Sequence, residues 1–500
     1  VDKDQEIAAL RALLADRDAK LERRDAELAA VESAVSRLQR EIARLKQELL
    51  GTSREHFEPS PAQLALWGKD RPEAVEPEPK RKRVAKPHGR RKPPPELPEE
   101  VVACTVPEDT VCTECGDALK TFGEDEAERI EYVPGYFRRL RIVREKCACP
   151  EHPGAGVVTA DGPDFVIERG LPGNGLVAKV VVDKYADHIP LDRQVRRFRR
   201  QGVDLPLSTV CDWVQQAARP ATVLVRAMLA ELTAGDWLQS DATGFKVLEG
   251  RRNKPHRGHL YTWANTDRVV YTYAREGTGD HPAQILAPFQ GTLVADGGSS
   301  FNQAASKPGV VRAGCWAHAR RKFWEARDTD PRHVHHALET IREVFQLERA
   351  FRELSPADRA RQRRATTWPI VQAFQAWCQA LSLSEPPKSP LAKAAGYVLR
   401  QWDSLVVFID DGNIPAHNNL SELLLRQPVV GRKNWLFAGS EGGAQTAATW
   451  FSLIGSCMVN AIDPWLYLTD VLPQLNAWPA NQVLELEPAA WRARRLSKRA

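Results

Sequence analysis

Three acidic residues stand at positions from which a sheet-edge metal centre could be built. Trp237-Leu238-Gln239-Ser240-Asp241 is a short, apolar run closing on Asp241. Thr292-Leu293-Val294-Ala295-Asp296 is a run of buried-strand type closing on Asp296. Asn418-Asn419-Leu420-Ser421-Glu422 offers an Asn cap and then Glu422 on the first turn of a helix. Three carboxylates suit two Mg²⁺ (or Mn²⁺) ions per active site. One ion lowers the pKa of an attacking water or 3′-hydroxyl, and the other stabilises the leaving oxygen of an in-line phosphoryl displacement. Taken singly, an Asp at a strand end is a turn cap. The order of the three acids, and the elements that carry them, favour the metal centre.

A second set of ligand types points to a different metal. Cys112-x-x-Cys115 is followed by Cys147-Ala-Cys149-Pro-Glu-His152 across a stretch, Ile130–Val143, that reads as a hairpin. Two short knuckles spaced in this way are zinc-ribbon grammar. The expected ligands of one structural Zn²⁺ are Cys112, Cys115, Cys149 and His152. Cys147 competes for the third place, but it lies two residues from Cys149 on what would be the other knuckle face. Nine cysteines are an odd number for a disulfide framework, and a CxxC pair favours a reducing compartment. Cys315-x-x-His318 is read either as a buried Cys with a helix-cap His or as part of the acidic site; two ligands alone do not make a second zinc centre. Cys211, Cys378 and Cys457 read as core thiols.

The elements that must hold these groups make a multidomain α+β chain. Residues 233–440 are the catalytic core. Trp237–Asp241, the hairpin His259–Asn265 and Val269–Ala274, the strand ending at Asp296 and Gly309–Cys315 follow the RNase H-like order, which sets Asp241 beside Asp296. Residues of about 330–410 read as an all-helical insertion that clamps DNA or shapes a dimer, and 441–500 as a helical C-terminal segment. Residues 170–232 read as a helix-turn-helix domain, with helices Gly175–Tyr185, Leu191–Arg200 and Ser208–Ala217 and with Ser208 as a cap. A plain three-helix bundle fits the same pattern; the arginines of the middle helix tip it toward DNA. Residues 101–169 hold the zinc ribbon, and 51–100 are a linker with eight prolines between Pro72 and Pro98. Lys80–Lys92 carries eight Lys or Arg and no acid, either as a solvated linker or as a strand that tracks phosphates. Residues 1–50 are a coiled coil. Ile7, Leu14, Leu21, Leu28, Val35, Ile42 and Leu49 repeat every seven residues, with Leu10, Val31, Leu38 and Leu45 in the other seam position. Arg17 and Arg24 interrupt that second register. At 1.5 Å per residue the coil is roughly 65 Å long, and it implies self-association as a homodimer or higher.

The residues set against double-stranded DNA are Arg90, Arg91 and Lys92 of the linker; Arg193, Arg196, Arg197, Arg200, Ser208 and Thr209 of the helices; and Arg320, Arg321, Lys322, Arg432, Lys433, Asn434 and Trp435 of the core. Gly431–Ser440 is read as a basic aromatic loop for a flipped base or strand end; a folded hairpin accounts for its aromatics equally well. The net charge of +5 is modest, but the positive residues come in blocks, which suits a polyanion. The longest apolar run, near Val180–Val182, is too short for a membrane span. No basic-then-apolar leader opens the sequence, so a secreted protein is not expected.

Four signatures in order, Lys184-Tyr185-Ala186-Asp187-His188-Ile189-Pro190-Leu191, Cys315-Trp316-Ala317-His318-Ala319-Arg320-Arg321-Lys322-Phe323, Asn418-Asn419-x-x-Glu422 and Gly431-Arg432-Lys433-Asn434-Trp435-Leu436-Phe437-Ala438-Gly439-Ser440, resemble the transposases of the bacterial insertion sequence 66 family, within the DDE superfamily. The resemblance runs from about Ile42 to Leu475. It implies cleavage and strand transfer of element ends without a covalent enzyme–DNA intermediate, a cytoplasmic, nucleoid-associated location, and accessory proteins of the same element as partners. It also implies that Cys315 and His318 lie near the active site. The sequence departs from the family pattern at Ala242, where Glu is usual, at His417, where Asp is usual, and at Leu423, where Arg is common. Two rival readings remain: a catalytically decayed copy acting as a zinc-dependent DNA-binding regulator, and a structure-selective nuclease that cuts but never joins. The three acids argue against the first, and the element-type C-terminal half against the second.

Overall fold

A computed structural model describes residues 135–143, 146–148, 157–159, 161–168, 170–249 and 254–497. From Arg141 onward these belong to one compact unit. The coiled coil, the linker with Arg90, Arg91 and Lys92, and the ligand set Cys112, Cys115, Cys149 and His152 lie outside the described residues. Residues 135–143 have no regular structure, so the described part of the expected hairpin is not one. The run Arg138-Arg139-Leu140-Arg141 gives it no alternating apolar face to bury. The pairing in this region is instead between β1 (Lys146–Ala148) and β2 (Val157–Thr159), antiparallel, with Cys147 opposite Val158.

β3 (Trp237–Glu249), β4 (Lys254–Ala264), β5 (Val269–Ala274), β6 (Gly291–Val294) and β7 (Val310–Ala313) form a sheet of order β5-β4-β3-β6-β7. The first three are an antiparallel meander, while β6 and β7 run parallel to β3. β3 does not stop at Asp241 as the sequence suggested. Its parallel pairing with β6 ends at Gln239↔Val294, but its antiparallel pairing with β4 continues to Glu249↔Lys254. Asp241 therefore sits where β3 has just lost its β6 neighbour, and Asp296 is the matching residue beyond β6. The loss of a partner on one side opens the sheet there, and it opens between two carboxylates.

α1 (Asn174–Tyr185), α2 (Leu191–Arg200) and α3 (Leu207–Ala234) precede the sheet. The α1–α2 turn passes through His188 at φ +59°, and the α2–α3 turn through Gly202 at φ +84°. Ser208 is not the cap: α3 begins one residue earlier, after Pro206, with no side-chain cap bond. Proline supplies the fixed φ of a helix start and has no N–H to satisfy. α3 also continues seventeen residues past Ala217, through Pro220. Its buried face, Val210, Trp213, Val214, Ala217, Ala221, Leu224 and Met228, keeps the helical period throughout, so the apolar stripe carries it onward.

α4 (Trp316–Glu325) follows β7, and α5 (Pro331–Ala350), α6 (Trp368–Ser384) and α7 (Pro390–Arg400) continue the helical stretch. Asp330 and Ser389 cap α5 and α7 through their side chains. These helices share a core with the sheet, running from Val294 and Ala313 through Trp316 and Phe323 to Phe374, Leu391 and Val398. Within it Arg363 is 1% exposed; it pairs with Glu348 and donates to the carbonyls of Phe408 and Asp411 at 2.6 and 2.8 Å. That arginine is a strut rather than a DNA contact.

α8 (Asn419–Trp435) and α9 (Glu441–Val459) return to the sheet, and α10 (Pro464–Val471) and α11 (Pro488–Ser497) finish the described chain. α9 covers β5, the sheet's edge. The Ser452 and Ser456 hydroxyls accept the N–H groups of Tyr271 and Val269 at 2.8 and 2.9 Å. An edge strand's unpaired donors are thereby satisfied from a helix. No helix among the described residues is long and apolar enough to cross a membrane.

Candidate active site

Asp241, Asp296 and Glu422 come together from β3, the loop after β6 and the first turn of α8. Burial first, and then the charges of Asp296 and Glu422, push the Asp241 carboxyl up to about 7, although the Ala242 N–H pulls the other way. Each Asp gives one oxygen to its own backbone: Ala242 N–H donates to Asp241 Oδ1 at 2.7 Å, and Gly298 N–H to Asp296 Oδ1 at 3.0 Å. A Cβ at Gly298 would stand 2.8 Å from that same Oδ1, so this glycine leaves room for the carboxylate. Glu422 Oε1 is buried with no hydrogen-bond partner among the described residues, and Oε2 lies 3.8 Å from Arg321.

Several residues that sequence reasoning passed over set this geometry. Gln239, two residues before Asp241 and so on the same strand face, accepts from the Ser421 backbone N–H at 3.2 Å. It ties the first turn of α8 to β3 beside Asp241. Arg312 on β7 donates to the carbonyls of Asp296 and Gly298 and to Asn302 Oδ1, fixing the loop that carries Asp296. Tyr397 reaches in from α7, and a Cβ at Gly297 would meet its hydroxyl at 3.1 Å. A polar residue two positions before an acid was the available signal for Gln239. For Arg312 and Tyr397 the sequence carries none, because their contacts are made across the fold.

Asn418 occupies the N-cap position of α8, but its side chain makes no cap bond; both amide atoms are buried without a partner among the described residues. Its backbone N–H donates to Cys315 Sγ at 3.4 Å. Cys315 is itself the N-cap residue of α4, and burial pushes its thiol up to about 11. His318, one turn on, brings Nδ1 to 3.6 Å from Glu422 Oε1. Burial lowers its pKa against the opposing pull of Glu422 and Asp296. Cys315 and His318 therefore do not stand alone; Glu422 joins them.

The region 431–440 is neither an open loop nor a hairpin. α8 runs through Gly431 to Trp435, and Leu436, at φ +62°, ends it. Gly431 is present for space, since a Cβ there would lie 2.8 Å from the Trp435 ring. Trp435 packs edge-on against Phe245 at 5.6 Å and beneath Lys184, so its ring is engaged within the fold. Arg432 donates to Thr243 Oγ1 at 3.2 Å and to the Gly244 carbonyl, bracing β3. Lys433 and Asn434 are exposed. On α2, Arg193, Arg196 and Arg200 are exposed, whereas Arg197 lies 3.5 Å from the buried Asp183. Arg196 pairs with Asp192. Ser208 is exposed and Thr209 half-buried on the first turn of α3. Arg320 is half-buried, Arg321 exposed, and Lys322 pairs with Glu325 at 3.1 Å.

Three family models match stretches of the chain. Residues 169–446 match the model of the transposase IS66 family. Residues 109–151 match the zinc-finger binding domain of transposase IS66, and 452–489 the IS66 C-terminal element. The zinc-finger match contains Cys112, Cys115, Cys147 and Cys149 and ends one residue before His152. The chain is 32% identical over 410 residues to the uncharacterised protein y4hP of Sinorhizobium fredii, covering 77% of this chain and 74% of that protein. It is 33% identical over 410 residues to y4qI of the same organism, covering 78% and 75%. The chain belongs to the transposase IS66 family.

Proposed function

We propose that this chain is an active DNA transposase that cleaves the ends of an insertion sequence and transfers them to target DNA. The observation that carries the reading is the convergence of Asp241, Asp296 and Glu422 at the point where β3 and β6 part. The meander followed by two parallel strands, in the order β5-β4-β3-β6-β7, supports an RNase H-like core. The acids fit hard divalent cations. Their donors are all carboxylate oxygens, burial and mutual repulsion raise the Asp241 carboxyl to about 7, a strain that a bound cation would relieve, and Glu422 Oε1 is buried without a partner among the described residues. Bound Mg²⁺ or Mn²⁺ would supply charge for the attacking and leaving oxygens of phosphoryl transfer.

The chain's own residues do the rest. Asp241, Asp296 and Glu422 would hold the cations. Gln239 and Arg312 orient the elements that carry these acids. Arg321, exposed beside Glu422, faces an incoming phosphate. DNA is held by the basic face of α2, by Ser208 and Thr209 at the start of α3, by Lys433 and Asn434, and by the linker residues Arg90, Arg91 and Lys92. The zinc domain, the coiled coil and accessory proteins of the same element complete the assembly.

Asp241→Asn, Asp296→Asn and Glu422→Gln test the reading. Each keeps its size and most of its hydrogen bonding but removes one negative charge. Cleavage and joining should fall by orders of magnitude, with binding to element ends unchanged within about twofold, because basic residues dominate affinity. A Glu422→Gln protein that cuts and joins at the wild-type rate removes the third acid from the site. Wild-type protein that binds ends yet never cleaves in Mg²⁺ or Mn²⁺, accessory factors supplied, points instead to a decayed regulator.

A further inference from the structure

Cys315 Sγ, a ring nitrogen of His318 and a carboxylate oxygen of Glu422 all lie within 4.8 Å of one another. A phosphoryl-transfer site of carboxylates has no use for a sulfur ligand, since Mg²⁺ prefers oxygen. The sulfur is buried, which by itself disfavours a thiolate, yet backbone N–H groups are aimed at it. The Asn418 N–H donates to it at 3.4 Å, and the N–H groups of His318 and Ala317 face it as well. Such donors stabilise negative charge on sulfur. The other two ligand atoms are left over: His318 Nδ1 and Glu422 Oε1 are each buried without a hydrogen-bond partner among the described residues. They stand 3.6 Å apart, just beyond hydrogen-bond reach. Two ligands of one tetrahedral zinc stand about 3.3–3.6 Å apart, given bonds of 2.0–2.3 Å.

We propose that Cys315, His318 and Glu422 form a second metal site, selective for a thiophilic cation of the zinc class, which competes with the magnesium ions for Glu422. Thiolate, imidazole and carboxylate together neutralise a divalent ion, and water completes the tetrahedron. Binding releases the thiol proton to solvent, so charge balances without any redox partner. The three ligands are brought to one point by Cys315 as the N-cap residue of α4, His318 one turn along it and Glu422 on the first turn of α8. With zinc in place, Glu422 is turned toward sulfur and away from Asp241 and Asp296. Zinc then inhibits cleavage. This inhibition rests on the catalytic role of Glu422 proposed above; the metal site itself does not.

The test uses the full-length protein dialysed against low-micromolar zinc, passed through a desalting column and assayed for zinc per chain. Wild type should retain one equivalent more than Cys315→Ser and than His318→Gln. His318→Gln changes a partly exposed side chain and so guards against a folding defect in the buried Cys315→Ser variant. Equal zinc content in the three proteins overturns the site. In a second arm, end cleavage in Mg²⁺ is compared with and without added zinc within each protein. Zinc should suppress wild-type cleavage at least tenfold (a difference of about 1.4 kcal/mol in the barrier) and Cys315→Ser far less. Equal suppression in both overturns the competition for Glu422. Glu422→Gln cleaving at the wild-type rate defeats the catalytic reading alone, and the zinc count still decides the site.

Discussion

In the proposed metal site Asp241 would meet two opposing demands: it would have to be buried enough to exclude water from the reaction and ionised enough to hold a cation. With the cation absent, burial and the neighbouring Asp296 and Glu422 raise its pKa from 3.8 to about 7. The folded state therefore keeps a proton that the unfolded chain loses first. Stability falls wherever the native state binds more protons, so this contribution is lost as pH rises between about 4 and 7. Chelated, magnesium-free protein should show a melting temperature that declines across that window, and Asp241→Asn should flatten the decline. Saturating Mg²⁺ should reverse its sign, since cations bind the ionised form. Identical slopes for wild type and Asp241→Asn in thermal melts would show that the proton resides elsewhere. In the proposed site Glu422, on the first turn of α8, would serve better than an acid at a helix C-terminus. The helix dipole and its free N–H groups favour its negative charge.

Among the elements, β5 shows how the sheet is closed. As an edge strand it leaves the N–H groups of Val269 and Tyr271 without a strand partner, and α9 supplies Ser456 and Ser452 in their place. Ser452→Ala strands a buried donor, which costs roughly 1–3 kcal/mol. Urea unfolding should show a lowered midpoint at unchanged slope; an unchanged midpoint would mean that the Tyr271 N–H finds another acceptor. The run before Asp296 was legible in the sequence because a buried strand is apolar and its closing acid is not, whereas before Asp241 only Trp237 and Leu238 are apolar and Gln239 and Ser240 blur the pattern. Glu422 was legible from its place after Asn418-Asn419. The length of β3 was not, because the residues after Asp241 pair with β4 and otherwise only through a single bridge from Val247 to Ala438, and need no continuous apolar run. Gly431 reads as a helix breaker, yet it lies inside α8, where the Trp435 ring needs its space. Ser208 has the composition of a cap, but Pro206 takes that position and α3 starts before it. Local chemistry gave the elements, whereas Gln239, Arg312 and Tyr397 act through contacts that only the folded chain brings about.

At the scale of the whole molecule, the proposed activity would also need parts that find and pair DNA ends. The zinc-finger match over 109–151 places a small domain ahead of the catalytic unit. A segment of this size is too short to offset its chain entropy with an apolar core alone, so a bound metal would supply the difference. The isolated segment Val101–Arg169 should therefore lose its dispersed NMR spectrum on chelation. Cys112→Ser and His152→Ala should have the same effect, and Cys147→Ser little. The opposite result for His152 and Cys147 would exchange them in the ligand set, which the end of the family match before His152 makes a pointed comparison.

The coil over residues 1–50 addresses a different need, because transposition requires two ends held at once. Seven heptad positions filled by Ile, Leu or Val would bury a seam only against a second helix, so the coil proposed from the sequence would be a self-association element. Joining two end-binding units makes the second binding event intramolecular, which raises avidity about a hundredfold or more without any new DNA contact. Removing residues 1–50 should thus convert an oligomer to a monomer at micromolar concentration, as read by light scattering. Single-end affinity should change little, because the α2 arginines proposed to contact DNA are retained. Paired-end complexes should weaken by about the avidity factor. Arg17 and Arg24 interrupt the second seam register, so removing only residues 1–24 should have the milder effect. An unchanged mass after the full deletion would place the dimer contact elsewhere, and the helices α5–α7 are the next surface to test. Loss of single-end binding together with mass would instead make the coil part of the DNA-binding unit.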